Sequence, residues 1–164
     1  MRVVLQRVSR ASVRVDGEVL GEIGTGFVLL AAAGAGDASD EPERLARKIA
    51  GLRVFPDDAG KMNRSIGEAR GSVLLISQFT LYADVKRGRR PSWTGSADPG
   101  VAEDRIEAFR TALEAEGLDV ATGRFGAHME VELVNDGPVT LLLDGSELAS
   151  GAGAPAAKAA APRE

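Results

Sequence analysis

The 164-residue sequence contains no cysteine. This absence excludes disulfide bonds, thiolate nucleophiles and cysteine–zinc sites, and it fits a reducing compartment. The sequence has a single histidine, His128, so one subunit cannot build a zinc site from nitrogen and sulfur ligands alone. A Ser-His-Asp triad would also have to use His128. That residue falls on the polar face of an alternating segment, far from any nucleophile-elbow motif, so we do not expect it to be catalytic.

Long apolar runs and phosphate-binding motifs are also missing. No stretch approaches the roughly 18–20 apolar residues that span a bilayer, and charges interrupt the N-terminal MRVVLQRVSR, which therefore lacks a signal-peptide core. We predict a cytoplasmic protein without a membrane partner. The absence of GxxxxGK[ST] and GxGxxG argues against phosphoryl transfer and dinucleotide chemistry, and no metal or cofactor is expected. The remaining means of catalysis are backbone amides, hydroxyl groups and positioning of the substrate. These can cleave only a bond that is already reactive, such as an activated ester.

The composition is that of one globular domain. Apolar residues make up 44% and charged residues 27% of the sequence, enough to form a hydrophobic core. The net charge of −4 argues against a general nucleic-acid-binding surface and leaves a local basic patch as the place for any RNA contact. Such a patch, or a merely solvated loop, occurs at Lys86, Arg87, Arg89 and Arg90. We predict a domain over residues 1–145 and a disordered tail, rich in Ala, Gly and Pro, over residues 146–164.

Periodicity and turn signals predict a mixed α/β (α+β) fold. Asp16-Gly17 is a strong hairpin signal, and Asp40 with Glu43 predicts a capping box at the start of the first helix. A second helix is predicted over residues 101–116, before Gly117. The predicted strands cover residues 1–8, 12–15, 18–23, 27–33, 53–55, 72–79, 128–134 and 139–143.

Two segments carry most of the chemical interest. Residues 73–84, VLLISQFTLYAD, form an apolar strand that runs into hydroxyl, amide and aromatic groups. Residues 134–140, VNDGPVT, predict a tight turn with Gly137-Pro138 at its tip. Each has a simpler interpretation. The first segment is then a strand end with Phe79 in the core, and the second is a hairpin turn in which proline starts an edge strand.

Five motifs, taken in order, resemble the D-aminoacyl-tRNA deacylase family. They are LQRVSRASVRVDGEVLGEIG near the start, GKMN at 60–63, SQFTLYAD at 77–84, RGRRPSW at 87–93 and TGRFGAHMEVELVNDGPVT at 122–140. The resemblance runs to about Asp144. It implies an enzyme that hydrolyses the ester between a D-amino acid and tRNA. It also implies a compact single domain of mixed, barrel-like β-sheets with two main helices, which forms a symmetric homodimer.

The resemblance further implies an active site shared between two subunits. One subunit would supply the catalytic residues Ser77, Gln78, Phe79 and Thr80. The other would supply Gly137 and Pro138, joined by a cis peptide bond, whose carbonyl groups would exclude an L side chain and so enforce chirality by rejection. Glycyl-tRNA, which has no side chain to reject, should also enter.

Several residues have two interpretations from the sequence alone. Arg7 would brace the Gly-Pro segment or is an exposed strand arginine. Phe125 and Met129 would line the pocket for the terminal adenosine or pack in the core. Thr80 has no evident base beside it, so we favour a positioning role over a nucleophilic one, with the vicinal ribose hydroxyl helping to activate water.

The expected partners are the 3′ end of aminoacyl-tRNA and a second copy of the chain, with no DNA. An alternative from another class is a non-catalytic tRNA-binding module or a synthetase-associated editing module, and a small structural dimer is a third. The sequence shows no synthetase domain, which favours a free-standing enzyme.

Overall fold

A computed structural model describes residues 1–86 and 88–148 of the chain. The strands are β1 Arg2–Val15, β2 Glu18–Ile23, β3 Gly26–Ala32, β4 Phe55–Pro56, β5 Met62–Arg64, β6 Ser72–Ser77, β7 Val120–Thr122 and β8 Glu130–Asp144. The helices are α1 Glu41–Ala50 and α2 Pro99–Ala115, and short 3-10 turns occupy Phe79–Tyr82 and Gly145–Glu147. Leu148 packs against the core, three residues beyond the predicted domain boundary. Arg87 and residues 149–164, the rest of the predicted tail, lie outside the described residues.

Six strands form one strongly curved sheet. Its order is β2-β1-β3-β6-β7, and β8 pairs with β1. The pairs of β1 are antiparallel, whereas β3–β6 and β6–β7 are parallel. The two ends of the sheet approach each other, since a Cβ added to Gly21 of β2 would lie 2.9 Å from the carbonyl oxygen of Thr122 in β7. The expected single α/β domain with a barrel-like mixed sheet and two helices is confirmed.

The hairpin between β1 and β2 forms where Asp16-Gly17 predicts it. Both residues have positive φ, 53° at Asp16 and 82° at Gly17, as a two-residue turn that matches strand twist requires. The pairing resumes at once, with Val15 opposite Glu18.

The strand β6 lies between two apolar clusters. Val73 and Leu75 belong to the cluster beneath the helices, whereas Leu74 and Ile76 belong to the cluster inside the barrel. All four are buried, which explains why VLLI reads as a continuous apolar run rather than an alternating one. Both helices cover the first cluster with their apolar faces, which include Leu45, Ile49, Phe109 and Leu113.

The predicted capping box at the first helix is wrong. Asp40 occupies the N-cap position but makes no side-chain cap hydrogen bond. Its carboxylate instead pairs with Arg44 at 3.2 Å. The backbone N–H of Ala38 donates to Oε1 of Glu41 at 3.0 Å, so a different carboxylate caps the turn before the helix.

The predicted turn at Gly137-Pro138 is also wrong. Residues on both sides of it belong to one 15-residue strand, β8, and both halves pair with β1, as Gln6 with Thr140 and Val8 with Asn135. Residues 136–139 leave this ladder as a bulge, which we call the Gly-Pro bulge. A proline inside a bulge does not waste a ladder hydrogen bond, so the chain continues in one direction instead of reversing. The short strands β5 and β7 were not predicted.

Candidate active site

Residues 77–80, here the SQFT segment, begin where β6 ends. The N–H of Gln78 donates to the carbonyl of Ala31 at 2.7 Å, and the chain then turns sharply into the 3-10 turn Phe79–Tyr82. This turn ends the strand alternation, so the side chain of Phe79 points outwards and is 56% exposed. It packs edge to face with Trp93, with ring centroids 5.3 Å apart. The interpretation that placed Phe79 in the core is wrong.

Two backbone donors are available at this turn. Within the described residues, neither the N–H of Phe79 nor that of Thr80 donates to a protein acceptor, because the first donors of a helical turn have no partner inside it. Side chains fix the surrounding backbone. Ser96 Oγ donates to the carbonyl of Phe79 at 3.1 Å, and Gln78 Nε2 donates to Thr80 Oγ1 at 2.5 Å. The segment thus carries two N–H groups without a protein acceptor on a supported backbone, and donors of this kind can stabilise an oxyanion that lies within their reach.

A cavity of about 510 Å³ lies beside the SQFT segment. It is lined by residues that include Ser77, Phe79, Trp93, Ala102 and Phe125. A second cavity of about 310 Å³, bounded by α2, β6 and β7, shares Ser77 and Phe125 with it. Phe125 therefore forms part of the wall of both cavities.

Met129 lies behind this wall. Its sulfur occupies the space that a Cβ on Gly123 would need, and Val13 and Ile76 border the same space. Met129 packs against the cluster inside the barrel. Since Gly123 lines the smaller cavity, Met129 supports the cavity wall from its core side.

The far end of the 3-10 turn is held by a polar network that sequence reasoning missed. The Tyr82 hydroxyl donates to Asp37 Oδ1 at 3.2 Å, and Asp37 also pairs with the Met1 ammonium at 2.8 Å. The guanidinium of Arg2 stacks over the Tyr82 ring at 4.5 Å and donates to the carbonyl of Leu81 at 3.2 Å. Burial, followed by the nearby Asp37 carboxylate, raises the pKa of Tyr82 well above its ordinary value. The phenol therefore stays a hydrogen-bond donor.

Arg7 contacts the Gly-Pro bulge. It is 8% exposed, so the alternative of an exposed strand arginine is wrong. Its Nε donates to the carbonyl of Asp136 at 3.0 Å and lies 3.1 Å from the Asp136 carboxylate. Its Nη1 donates to the carbonyl of Val54. The bulge is thus joined to β1 and to the segment before β4 by one buried cation, and the Gly137-Pro138 bond within it is cis.

One protomer does not bring the SQFT segment and the Gly-Pro bulge together along the sheet. The strands β6 and β8 are separated by β3 and β1, which corresponds to about 14 Å at the usual strand spacing. Gly137 and Pro138 are exposed on the single chain. Within one chain the two segments are therefore not neighbours in the sheet.

The basic loop, residues 85–91, is closed at its base by a pair of backbone hydrogen bonds. Asp84 and Ser92 exchange two backbone hydrogen bonds of 2.8 and 3.0 Å. Between them, Lys86, Arg89 and Arg90 are exposed, whereas Arg87 is outside the described residues. In the described part of the chain there is no group of three metal-binding side chains, and no helix there is long and apolar enough to cross a membrane.

Comparison with known proteins assigns the family. The family model described as D-Tyr-tRNA(Tyr) deacylase matches residues 4–144. The chain belongs to this family. It is 58% identical over 144 residues to the D-aminoacyl-tRNA deacylase of Symbiobacterium thermophilum, covering 88% of this chain and 95% of the relative. It is 55% identical over 151 residues to the D-aminoacyl-tRNA deacylase of Thermomicrobium roseum, covering 92% and 98%.

Solved structures of the same fold extend the comparison. A protein described as c-Myc DNA Unwinding Element Binding Protein superposes with a TM-score of 0.81 at 38% identity, covering 88% of this chain and 98% of that one. A probable eukaryotic D-amino acid tRNA deacylase superposes with a TM-score of 0.72 at 17% identity, covering 87% and 97%, and that likeness shows the fold alone. Membership in the family makes this chain a hydrolase of the deacylase type.

Proposed function

We propose that the protein hydrolyses the ester between a D-amino acid and the 3′ end of tRNA, releasing the free amino acid and tRNA. The observation that carries this proposal is the pair of backbone N–H groups at Phe79 and Thr80, beside a cavity, in a chain of the deacylase family. The test is release of amino acid from D-aminoacyl-tRNA by the purified protein. Binding of the tRNA without release would leave a non-catalytic tRNA-binding module.

The chemistry we propose uses main-chain donors. Water attacks the ester carbonyl carbon, and the two N–H groups stabilise the oxyanion, each by a few kcal/mol. The C–O bond then breaks, and the ribose oxygen leaves with a proton. Thr80 acts by position, since its hydroxyl is bonded to the amide of Gln78, which is not a base. The vicinal ribose hydroxyl would assist the water, and no metal or cofactor takes part.

Chiral selection is proposed to come from a second subunit. In a symmetric homodimer, Gly137 and Pro138 of one chain would enter the site of the other, where their carbonyl groups would leave no room for an L side chain. Glycyl-tRNA would be accepted. The exposure of both residues and the position of β8 outside β1, with Leu142 82% exposed, support this proposal. A long edge strand of this kind is a ready surface for association.

Other residues have proposed supporting roles. Arg7 would brace the bulge through Asp136, Phe125 would stack on the terminal adenosine, and Met129 would support that wall. The loop with Lys86, Arg87, Arg89 and Arg90 would contact the tRNA backbone.

Replacing Thr80 with Ala should leave measurable hydrolysis of D-aminoacyl-tRNA, because the two N–H donors survive the change. We expect a decrease in kcat of about 10- to 100-fold through looser positioning. Single-turnover release of amino acid is the measurement. Isolation of a covalent acyl-Thr80 species during turnover by the unsubstituted enzyme would show that the hydroxyl is the nucleophile instead.

Replacing Phe79 with Pro removes one N–H donor at the first position of the turn, where proline is tolerated. We expect kcat to fall by about 100- to 1000-fold, the usual cost of losing one oxyanion donor. Phe79→Ala is the matched control, because it loses the ring but keeps the N–H. Equal activity of the two variants, with both folded by circular dichroism, would remove the main-chain donor from the mechanism.

Neutralising Lys86, Arg89 and Arg90 with Gln should raise KM for tRNA and flatten its dependence on salt. Each lost phosphate contact changes the log–log slope by about 0.7 for a single strand, so three contacts change it by about 2. Arg47→Gln/Lys48→Gln on α1 serves as the control, since both residues are exposed there. A slope that stays the same in the loop variant would place the tRNA elsewhere.

Mixed dimers should test whether the site is shared. A subunit with Phe79→Pro and a subunit with Gly137→Ala each spoil both sites of their own homodimers. In the heterodimer, one site carries both lesions and the other carries neither, so up to about half the activity returns. Differently tagged subunits, co-expressed and purified in tandem, provide the heterodimer. If it is no more active than the two homodimers, the bulge does not act across the interface.

A further inference from the structure

The side chain of Asn135 spans the base of the Gly-Pro bulge. Its Nδ2 group donates to the carbonyl of Arg7 at 2.8 Å and to the carbonyl of Val139 at 3.3 Å. Arg7 belongs to β1, and Val139 is the last residue of the bulge. One amide group therefore ties both ends of the bulge to each other and to the neighbouring strand.

The two hydrogen bonds of the Asn135 amide replace ladder hydrogen bonds that the bulge has lost. In the ladder between β1 and β8, Gln6 pairs with Thr140 and Val8 pairs with Asn135. The four residues 136–139 of β8 therefore lie opposite the single residue Arg7 of β1. Backbone groups displaced from a ladder need other partners. Asparagine is suited to supply them, because its short amide reaches nearby main-chain groups.

The same amide group fills the space beside Gly137. A Cβ added to Gly137 would lie 2.7 Å from Asn135 Oδ1 and 3.4 Å from its Cγ. Gly137 is not among the described glycines with positive φ, so the requirement for glycine here is steric. Moving the amide aside would break its bonds to Arg7 and Val139, so the amide restricts the space beside the Gly137 backbone.

We propose that Asn135 is a positioning residue that determines chiral selectivity by holding the Gly137 and Pro138 carbonyl groups in place. The proposal rests on the function proposed above, in which those carbonyl groups exclude L side chains. Arg7 fixes the bulge through Asp136, whereas Asn135 reaches across its base and touches Gly137 itself. Loss of Asn135 should therefore affect the choice between D and L substrates more than it affects folding.

The experiment compares kcat/KM for a D-aminoacyl-tRNA and its L counterpart. We expect Asn135→Ala to lower the D-to-L ratio by roughly 10- to 100-fold, the scale of a misplacement of about 1 Å. Asn135→Asp should have the same effect. It keeps an oxygen next to Gly137, but it replaces the donor Nδ2 with a second oxygen, which cannot donate to the carbonyl groups of Arg7 and Val139. Its similar size keeps the test valid if Asn135→Ala does not fold.

A matched control lies next to the bulge. Gln6 Nε2 donates to Thr140 Oγ1 at 3.1 Å, so Gln6→Ala also removes a side-chain bond between β1 and β8, but outside the bulge. We expect it to lower thermal stability as Asn135→Ala does while leaving the D-to-L ratio unchanged. A ratio that falls equally in both variants would show that general loosening of this strand pair, and not Asn135, is responsible.

A Gly137→Ala variant separates this inference from the proposed function. If Gly137→Ala changes the D-to-L ratio but Asn135→Ala and Asn135→Asp do not, the bulge selects D over L substrates without help from Asn135. The proposed role of Asn135 is then overturned, and the proposed function stands. If Gly137→Ala also leaves the D-to-L ratio unchanged, both the role of Asn135 and the proposed chiral selection by the bulge are overturned. Where the inference holds, Gly137→Ala should lower the melting temperature less in the Asn135→Ala background, because the clashing amide is absent.

Discussion

The pairing of β1 with β8 is the constraint on which the rest of the site depends. β1 contributes to every antiparallel pair of the six-stranded sheet, so its register fixes the sheet and its bulge together. At Arg7 the ladder with β8 opens, and the buried guanidinium bonds to Asp136 and Val54 instead. A buried cation without such partners would cost several kcal/mol. The bulge therefore supplies one of the partners with which the sheet accommodates Arg7.

The proposed chemistry fits a shortage of reactive side chains. The sequence has no cysteine and one histidine, and the proposed mechanism relies on the backbone. A 3-10 turn at the end of a buried parallel strand exposes two N–H groups, and contacts from Ser96 and Gln78 hold the turn. Preorganised donors of this kind cost no reorganisation during reaction. They suit an ester, which is already activated, and they do not depend on the nature of the amino-acid side chain.

The two segments of the proposed site differ in what supports them. The SQFT segment is held by contacts within its own chain. Ser96, which lies just before α2, bonds to the carbonyl of Phe79, and the network around Tyr82 and Asp37 holds the far end of the turn. The Gly-Pro bulge is exposed at its tip, and Arg7 and Asn135 hold its base. A rigid base and an accessible tip are what a segment needs if it is to act on a substrate held by another subunit.

The sequence by itself determined the elements whose signals are local. Asp16-Gly17 determined the first hairpin, since few residues other than these adopt two successive positive φ angles. The VLLI run predicted an apolar strand. The ordered motifs identified the family. The capping box failed because Arg44, one turn away, competes for Asp40, and β5 and β7 are too short to show a period.

Only the tertiary structure decided that VNDGPVT is a bulge and not a turn. The local signals for both are the same, a glycine and a proline between two apolar runs. The difference lies in whether both runs pair with the same strand, and β1 pairs with both. The same long-range pairing buried Arg7 and brought the amide of Asn135 against Gly137. The outward position of Phe79 likewise depends on where β6 ends relative to Ala31 of β3, a contact between residues 47 positions apart that no local pattern encodes.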